Sequence, residues 1–461
     1  MSSTSTRRAV LVVLGLALVA LSACVPPPPP GATELISLGW DDVPGSAPSY
    51  LDAAPSISAN GRWVAFTSDA PLVPGDSNGA SDVFVRDRTT GFTERISEAY
   101  CFEGICGRAA ASGASSMPSI SADGRYVVFT SGAPNLVPED GNGSIQDVFV
   151  ADRVAGGIRL ASVTATGGPG DSFSYGGFIS SDGRWVGFTS NATNLVSGDD
   201  NGAEDVFLRD MSTGPIFQYT FLVTETATNA PLNGDSVLDD MDPTATHFVF
   251  RTEATNLPGT DTNGVRDLWV RNLSVGASDP SAYRRISIGT GGAQTDGESL
   301  NPSLSDDATV VAWASGATNV VANDDLPGDV GTGDVFVTNL TTGTTVLASV
   351  DTDGYPLPGG SFGGTLSANG RYVAMLHFDQ KLNLISVYLR DLQAGTTELV
   401  SVNEAGQPVD ASYFIGFNPF GEPDVTPDGR YVVFNSSTNG VTANDTNTFA
   451  DVFVRDRAGG A

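Results

Sequence analysis

Residues 118–131 read PSISADGRYVVFTS and residues 147–153 read DVFVADR, with an Asp/Asn-rich loop between them. Ala122-Asp123-Gly124-Arg125 is a hairpin signal, because Asp-Gly accepts the positive φ of a tight type I′ turn. The runs Arg125 to Ser131 and Asp147 to Asp152 are rich in Val and Phe and show little polar alternation. Strands buried on both faces have that pattern. The stretch therefore predicts a strand A before the turn, a strand B after it, an acidic loop and a strand C.

The same grammar recurs along the chain. It appears as PSISANGRWVAFTS from Pro55 with DVFVRDR from Asp82, FISSDGRWVGFTS from Phe178 with DVFLRD, and PDVTPDGRYVVFNS from Pro423 with DVFVRDR. Weaker copies are DPTATHFVF with DLWVRN from Asp242, PSLSDDATVVAWAS with DVFVTN from Pro302, and GTLSANGRYVAML with SVYLRD from Gly364. A fourth strand, D, ends each full unit, as in Glu94-Arg95-Ile96-Ser97. Seven units of about 60 residues, each unable to bury its own two faces, predict an all-β, seven-bladed propeller of four-stranded antiparallel blades. A β-solenoid is the alternative, but its repeats are shorter. The seventh unit stops after strand C, and Glu34-Leu35-Ile36-Ser37 matches a strand D. The N-terminal strand is therefore expected to complete the last blade and remove the free edge.

The motif Pro-x-x-Ser-x-Asp/Asn-Gly-Arg-x-Val-x-Phe-Thr-Ser, followed by Asp-Val-Phe-Val-Arg-Asp and a strand ending Ile-Ser, resembles the WD40-like repeats of the TolB propeller. The resemblance covers nearly all of Glu34 to Arg457 and implies the fold. It says little about function, since propellers of this type host binding and catalysis alike. The α/β domain that precedes the TolB propeller has no counterpart here.

At the N-terminus, Arg7 and Arg8 precede an apolar run from Ala9 to Leu21, followed by Leu21-Ser22-Ala23-Cys24. A positive start, a short apolar stretch and small residues before a cleavage point mark a signal peptide rather than a membrane span. The tetrad resembles the bacterial lipobox, which implies cleavage after Ala23 and lipidation of Cys24. The prolines of Val25 to Gly31 predict a stiff extended spacer. The expected organisation is a signal peptide over 1–23, a lipidated cysteine and spacer over 24–33, and a propeller over 34–461. The product is an extracytoplasmic membrane lipoprotein, at the cell surface or in the periplasm.

Charge narrows the partners. The chain carries a net charge of −30, and removing residues 1–23, with two Arg and no acid, leaves −32. A phosphate-binding surface must be basic, so nucleic acid is excluded as a partner. An envelope protein or a glycan remains, with the membrane reached through the anchor. Of the three cysteines, Cys101 and Cys106 in Cys-Phe-Glu-Gly-Ile-Cys are left after Cys24 is lipidated. An even count outside the cytoplasm predicts a disulfide between them.

Five B-to-C loops carry a shared acidic pattern. Four read Asp-x-Asn-x-x-x-Asp: Asp76/Asn78/Asp82, Asp199/Asn201/Asp205, Asp261/Asn263/Asp267 and Asp445/Asn447/Asp451. A fifth, Asp140/Asn142/Asp147, has one extra residue. Oxygen ligands at this spacing can supply half of a calcium shell. The same residues also suit an Asn-Gly turn whose aspartates cap strand C. Arg62, Arg125, Arg184, Arg371 and Arg430, each after the A-to-B turn, are expected to pair with an acid of their own or the next blade. The strand B aromatics Trp63, Tyr126, Trp185, Tyr372 and Tyr431 are expected to pack between blades.

Catalytic equipment is thin. Only His247 and His377 exist. A metal-dependent lyase of the oligogalacturonate type would need several converging histidines. The chain is therefore expected to be a non-enzymatic binding or scaffolding lipoprotein that presents its acidic loop face, with calcium as the candidate cofactor. The alternative is a polysaccharide-active enzyme, lyase or glycoside hydrolase, built from aspartates.

Overall fold

A computed structural model describes residues 31–52, 56–100, 110–212, 219–259, 261–322, 333–379, 383–411 and 421–457. Cys24, the signal peptide, and Cys101 with Cys106 lie outside the described residues. The strands form seven four-stranded antiparallel sheets, and the one short 3₁₀ turn among the described residues is Thr290–Gly292. Blade 2 shows the pattern: Ser115–Ile120 (A), Tyr126–Ser131 (B), Asp147–Asp152 (C) and Ile158–Leu160 (D). Blade 7 takes Asp424–Val425, Tyr431–Ser436 and Asp451–Asp456 from the end of the chain and Thr33–Leu35 from its start. The seven-bladed ring and its closure by the N-terminal strand are as the repeats predict. Among the described residues no helix is long and apolar enough to cross a membrane.

The hydrophobic core is divided among the seams between blades. Ala65, Val83 and Val85 of blade 1 pack with Val127, Phe129 and Phe149 of blade 2 in one fully buried cluster. This is why strands B and C lack polar alternation: both of their faces are covered. Each of the five turn arginines makes a two-point contact with the last residue of strand C in its own blade, Asp87, Asp152, Asp210, Asp391 or Asp456. A second set, Arg88, Arg153 and Arg457, crosses the seam to Glu34, Glu94 and Glu398 of the preceding blade. Each of these guanidiniums also lies over an aromatic ring there, Tyr431, Trp63 or Tyr372.

The turn glycine completes this seam. Gly124 has φ +74, and a Cβ there would lie 2.2 Å from Cδ1 of Trp63. That ring cannot retreat, because Arg62 and Arg153 stack on it at 4.4 and 3.9 Å. Gly124→Ala is expected to cost about 2–4 kcal/mol, from the left-handed backbone and the overpacked ring together. Gly79→Ala is the control: its φ is +66, but nothing lies within 4 Å. It should cost only about 1 kcal/mol. Urea unfolding of both variants measures the difference, and equal losses would remove the steric part of the account.

Candidate binding site

Strand A is the innermost strand of each blade. Its register against strand B slips at corresponding places in blades 2 to 6, at Ser116/Ser119, Tyr175/Gly177, Leu238/Asp240, Leu300/Ser303 and Phe362/Gly364. Such bulges re-aim the residues they skip. Met117, Gly176, Asp239 and Asn301, all skipped, line an axial cavity of about 280 Å³.

Several acids in this cavity are spent on holding the ring. Asp52 accepts from the Met117 amide of the next blade at 2.8 Å, and Asp240 from the Leu304 amide of the next blade at 2.8 Å. Asp424 accepts from Ser56 and Ile57 across the closing seam at 2.7 and 3.1 Å. Thr130, Thr189 and Ser303 accept the corresponding amides elsewhere, from Gly176, Leu238 and Leu366. Burial pushes Asp52 up to about 6 and Asp240 up to about 7.

A second group is not used in this way. Asp239 accepts from Arg251, Glu422 accepts from the Asn301 amide across the axis, and Asp239 Oδ2 has no hydrogen-bond partner. Burial raises Asp239 to about 7, against the lowering effect of Arg251, and raises Glu422 as well. Apolar wall surrounds the group, including Ile57, Ile120, Leu238 and Leu304. Carboxyl oxygens, an amide and a guanidinium thus converge in a cavity of mixed polar and apolar lining, a composition suited to binding a small polar group. None of these four residues was singled out by the sequence reading. The available signal was Asp239-Asp240 within a strand expected to be buried.

The acidic loops lie elsewhere, on the face where strand B passes to strand C. The last aspartate of each motif is the first residue of strand C: Asp82, Asp147, Asp205, Asp267 and Asp451. It is buried and accepts from a hydroxyl two residues past strand D, for example Ser97 to Asp82 at 2.5 Å and Thr224 to Asp205 at 2.7 Å. The motif asparagine ties the loop to the following blade. Asn78 donates to the Ala111 carbonyl, Asn142 to Gly170, Asn201 to Leu232, Asn263 to Thr295 and Asn447 to Gly45. Of the first aspartates, Asp140, Asp199 and Asp445 are buried, and Asp76 and Asp261 are partly exposed. Among the described residues no three His, Cys, Asp or Glu side chains form a metal-binding group.

Both histidines have structural surroundings. His377 is buried, shares a 2.9 Å hydrogen bond with Ser361 and meets Tyr388 edge-on. His247 sits by Thr246 and Asp242. Neither lines the axial cavity.

No family model and no curated protein matches the sequence. Among solved structures, the fold is similar to an oligogalacturonate lyase in complex with manganese, at 10% identity and TM-score 0.55, over 93% of this chain and 98% of that one. It is also similar to the β-propeller domain of the trilobed protease from Pyrococcus furiosus, at 11% identity and TM-score 0.50, over 89% and 96%. TolB from Acinetobacter baumannii matches at 13% identity and TM-score 0.38, over 77% and 64%. At such identities the first two likenesses accord with a β-propeller and carry no chemistry.

Proposed function

We propose that the chain is a lipid-anchored, extracytoplasmic binding module that takes the end of a neutral glycan into its axial cavity. The observation that carries this reading is the Asp239, Arg251, Asn301 and Glu422 group, which offers donors and acceptors for hydroxyls beside an apolar wall. A strongly anionic chain repels uronates and phosphates, which favours neutral sugars. The anchor follows from the lipobox at Cys24. Gly31 meets Asp456 at the end of strand C, so the spacer joins the ring on the A-to-B turn face. That face lies toward the bilayer, and the acidic loop face points outward.

A second reading, a polysaccharide-active enzyme, is favoured by one feature: a carboxyl held protonated near neutrality at Asp239 is what a general acid needs. A glycan array combined with a hydrolysis assay separates the two. The expected result is saturable binding to neutral glycans with no product, weakened about tenfold in Asp239→Asn by the loss of one charge-assisted hydrogen bond. Product release by the wild type that is lost in Asp239→Asn would establish the enzyme instead. No binding and no product would reject both.

A further inference from the structure

We infer that blades 2, 3 and 7 each hold one calcium-type divalent cation in the loop between strands B and C, and that in blades 1 and 4 an arginine of strand D takes the cation's place. The inference concerns a different part of the molecule from the glycan reading and does not depend on it.

The argument begins with register. The residue of strand D opposite the strand C aromatic is Arg95 in blade 1 and Arg285 in blade 4, paired with Phe84 and Trp269. At the same position blades 2, 3 and 7 have Leu160, Leu222 and Leu35, paired with Phe149, Phe207 and Phe453. The two arginines turn into their acidic loops. Arg95 Nη1 lies 3.5 Å from Asp76 and 3.9 Å from Asp82, and Arg285 Nη1 lies 3.4 Å from Asp267. Both loops therefore contain a positive charge. A leucine supplies none.

In blades 2 and 7, two of the three leucine blades, loop oxygens are left over. Asp140 is only 7% exposed, yet neither of its carboxyl oxygens has a partner, and Asn142 Oδ1 beside it has none either. In blade 7, Asp445 Oδ1 and Asp451 Oδ2 are buried and unpartnered. In blade 3, Asp199 is as buried as Asp140 and repels Asp205. Burying two carboxylates without a counter-charge costs several kcal/mol per ion. A repeat that places arginine in two copies and leaves paired carboxylates in three others is balanced if an external cation fills the three.

The donors are all oxygen: two carboxylates and, in blade 2, the Asn142 amide oxygen, with backbone carbonyls and water to complete the shell. That set selects a hard cation over zinc or copper. Calcium accepts irregular shells of six to eight oxygens, whereas magnesium demands a near-ideal octahedron that such a loop does not build.

Titration of the chelator-stripped full chain with calcium chloride, followed by calorimetry in about 0.15 M salt to screen diffuse surface binding, tests the inference. About three equivalents are expected. Asp140→Asn should remove one, and so should Leu160→Arg, which installs the internal cation. Asp76→Asn should leave the number unchanged, and Arg95→Leu should add one. No saturable binding, or a stoichiometry unmoved by both Asp140→Asn and Leu160→Arg, overturns the inference. So does an equivalent for every acidic loop, about five in all. If Arg95→Leu does not fold, the two blade 2 variants still decide.

Discussion

A chain that starts at Gly39 instead of Gly31 is expected to lose most of its cooperative stability. The residues removed form strand D of blade 7, where Thr33, Glu34 and Leu35 pair with Arg455, Val454 and Phe453. Leu35 and Ile36 are 2% and 0% exposed, and such side chains contribute about 1.5–3 kcal/mol each on burial. The Ile36 amide bonds the Val452 carbonyl at 2.8 Å, and the Ser37 hydroxyl donates to Oδ1 of the buried Asp451 at 2.5 Å. Deletion leaves that carboxylate short of a donor, frees Arg88 from Glu34, and opens the strand Asp451–Asp456 as an edge. The total approaches the net stability of about 5–15 kcal/mol typical of a domain. The truncated chain should unfold at far lower urea concentration than one starting at Gly31, and should self-associate through the open edge. A peptide of residues 31–38 added in trans should restore the midpoint, while a scrambled one should not. Unfolding midpoints that coincide for the two chains would show that the ring does not depend on this strand.

Much of this closure is legible in the sequence, and most of the axial site is not, for a physical reason. Blade strands are specified locally: Asp123-Gly124 sets a turn, and the apolar run after it sets a strand, so each copy announces itself within about 15 residues. The strand D match between Glu34-Leu35-Ile36-Ser37 and Glu94-Arg95-Ile96-Ser97 likewise reads off directly. The axial group is assembled from blades 4, 5 and 7, and Asn301 and Glu422 are separated by 121 positions. Only ring closure brings them together. Asp239 also falls in the weakest copy, where the Pro-Ser of Pro118-Ser119 and Pro302-Ser303 is replaced by Asp239-Asp240. The arginine-for-leucine exchange at 95 and 285 lay in plain view. It gains meaning only when the strand register places that side chain against the acidic loop.

The second large effect is expected at Arg251. Arg251→Met should destabilise the protein by about 3 kcal/mol at alkaline pH, since it leaves Asp239 charged, only 9% exposed and without its counter-ion. The loss should shrink on acidification, and its sign follows from the raised pKa. An unfolded Asp gives up its proton near 3.8, while native Asp239 keeps it until about 7. The native state binds more protons across that window, so stability falls as pH rises through it and is level above. Asp240, raised to about 7, and Asp52, raised to about 6, act in the same direction. Asp152, Asp210 and Asp242, lowered to about 2, contribute stability that is lost only as pH falls below about 4, outside the window. Asp239 faces Arg251 and Glu422, and removing the guanidinium raises its pKa further. Near pH 5.5 the carboxyl is then protonated with or without Arg251, and only packing and a neutral hydrogen bond are lost, about 1 kcal/mol. Near pH 8.5 the wild type has an ion pair and the variant a buried charge, or the work of protonating it. Urea unfolding of both proteins at the two pH values, at constant calcium, measures the difference. A penalty for Arg251→Met of about 3 kcal/mol at both would mean that Asp239 is ionised throughout, and would withdraw the protonated carboxyl from the catalytic reading of the cavity.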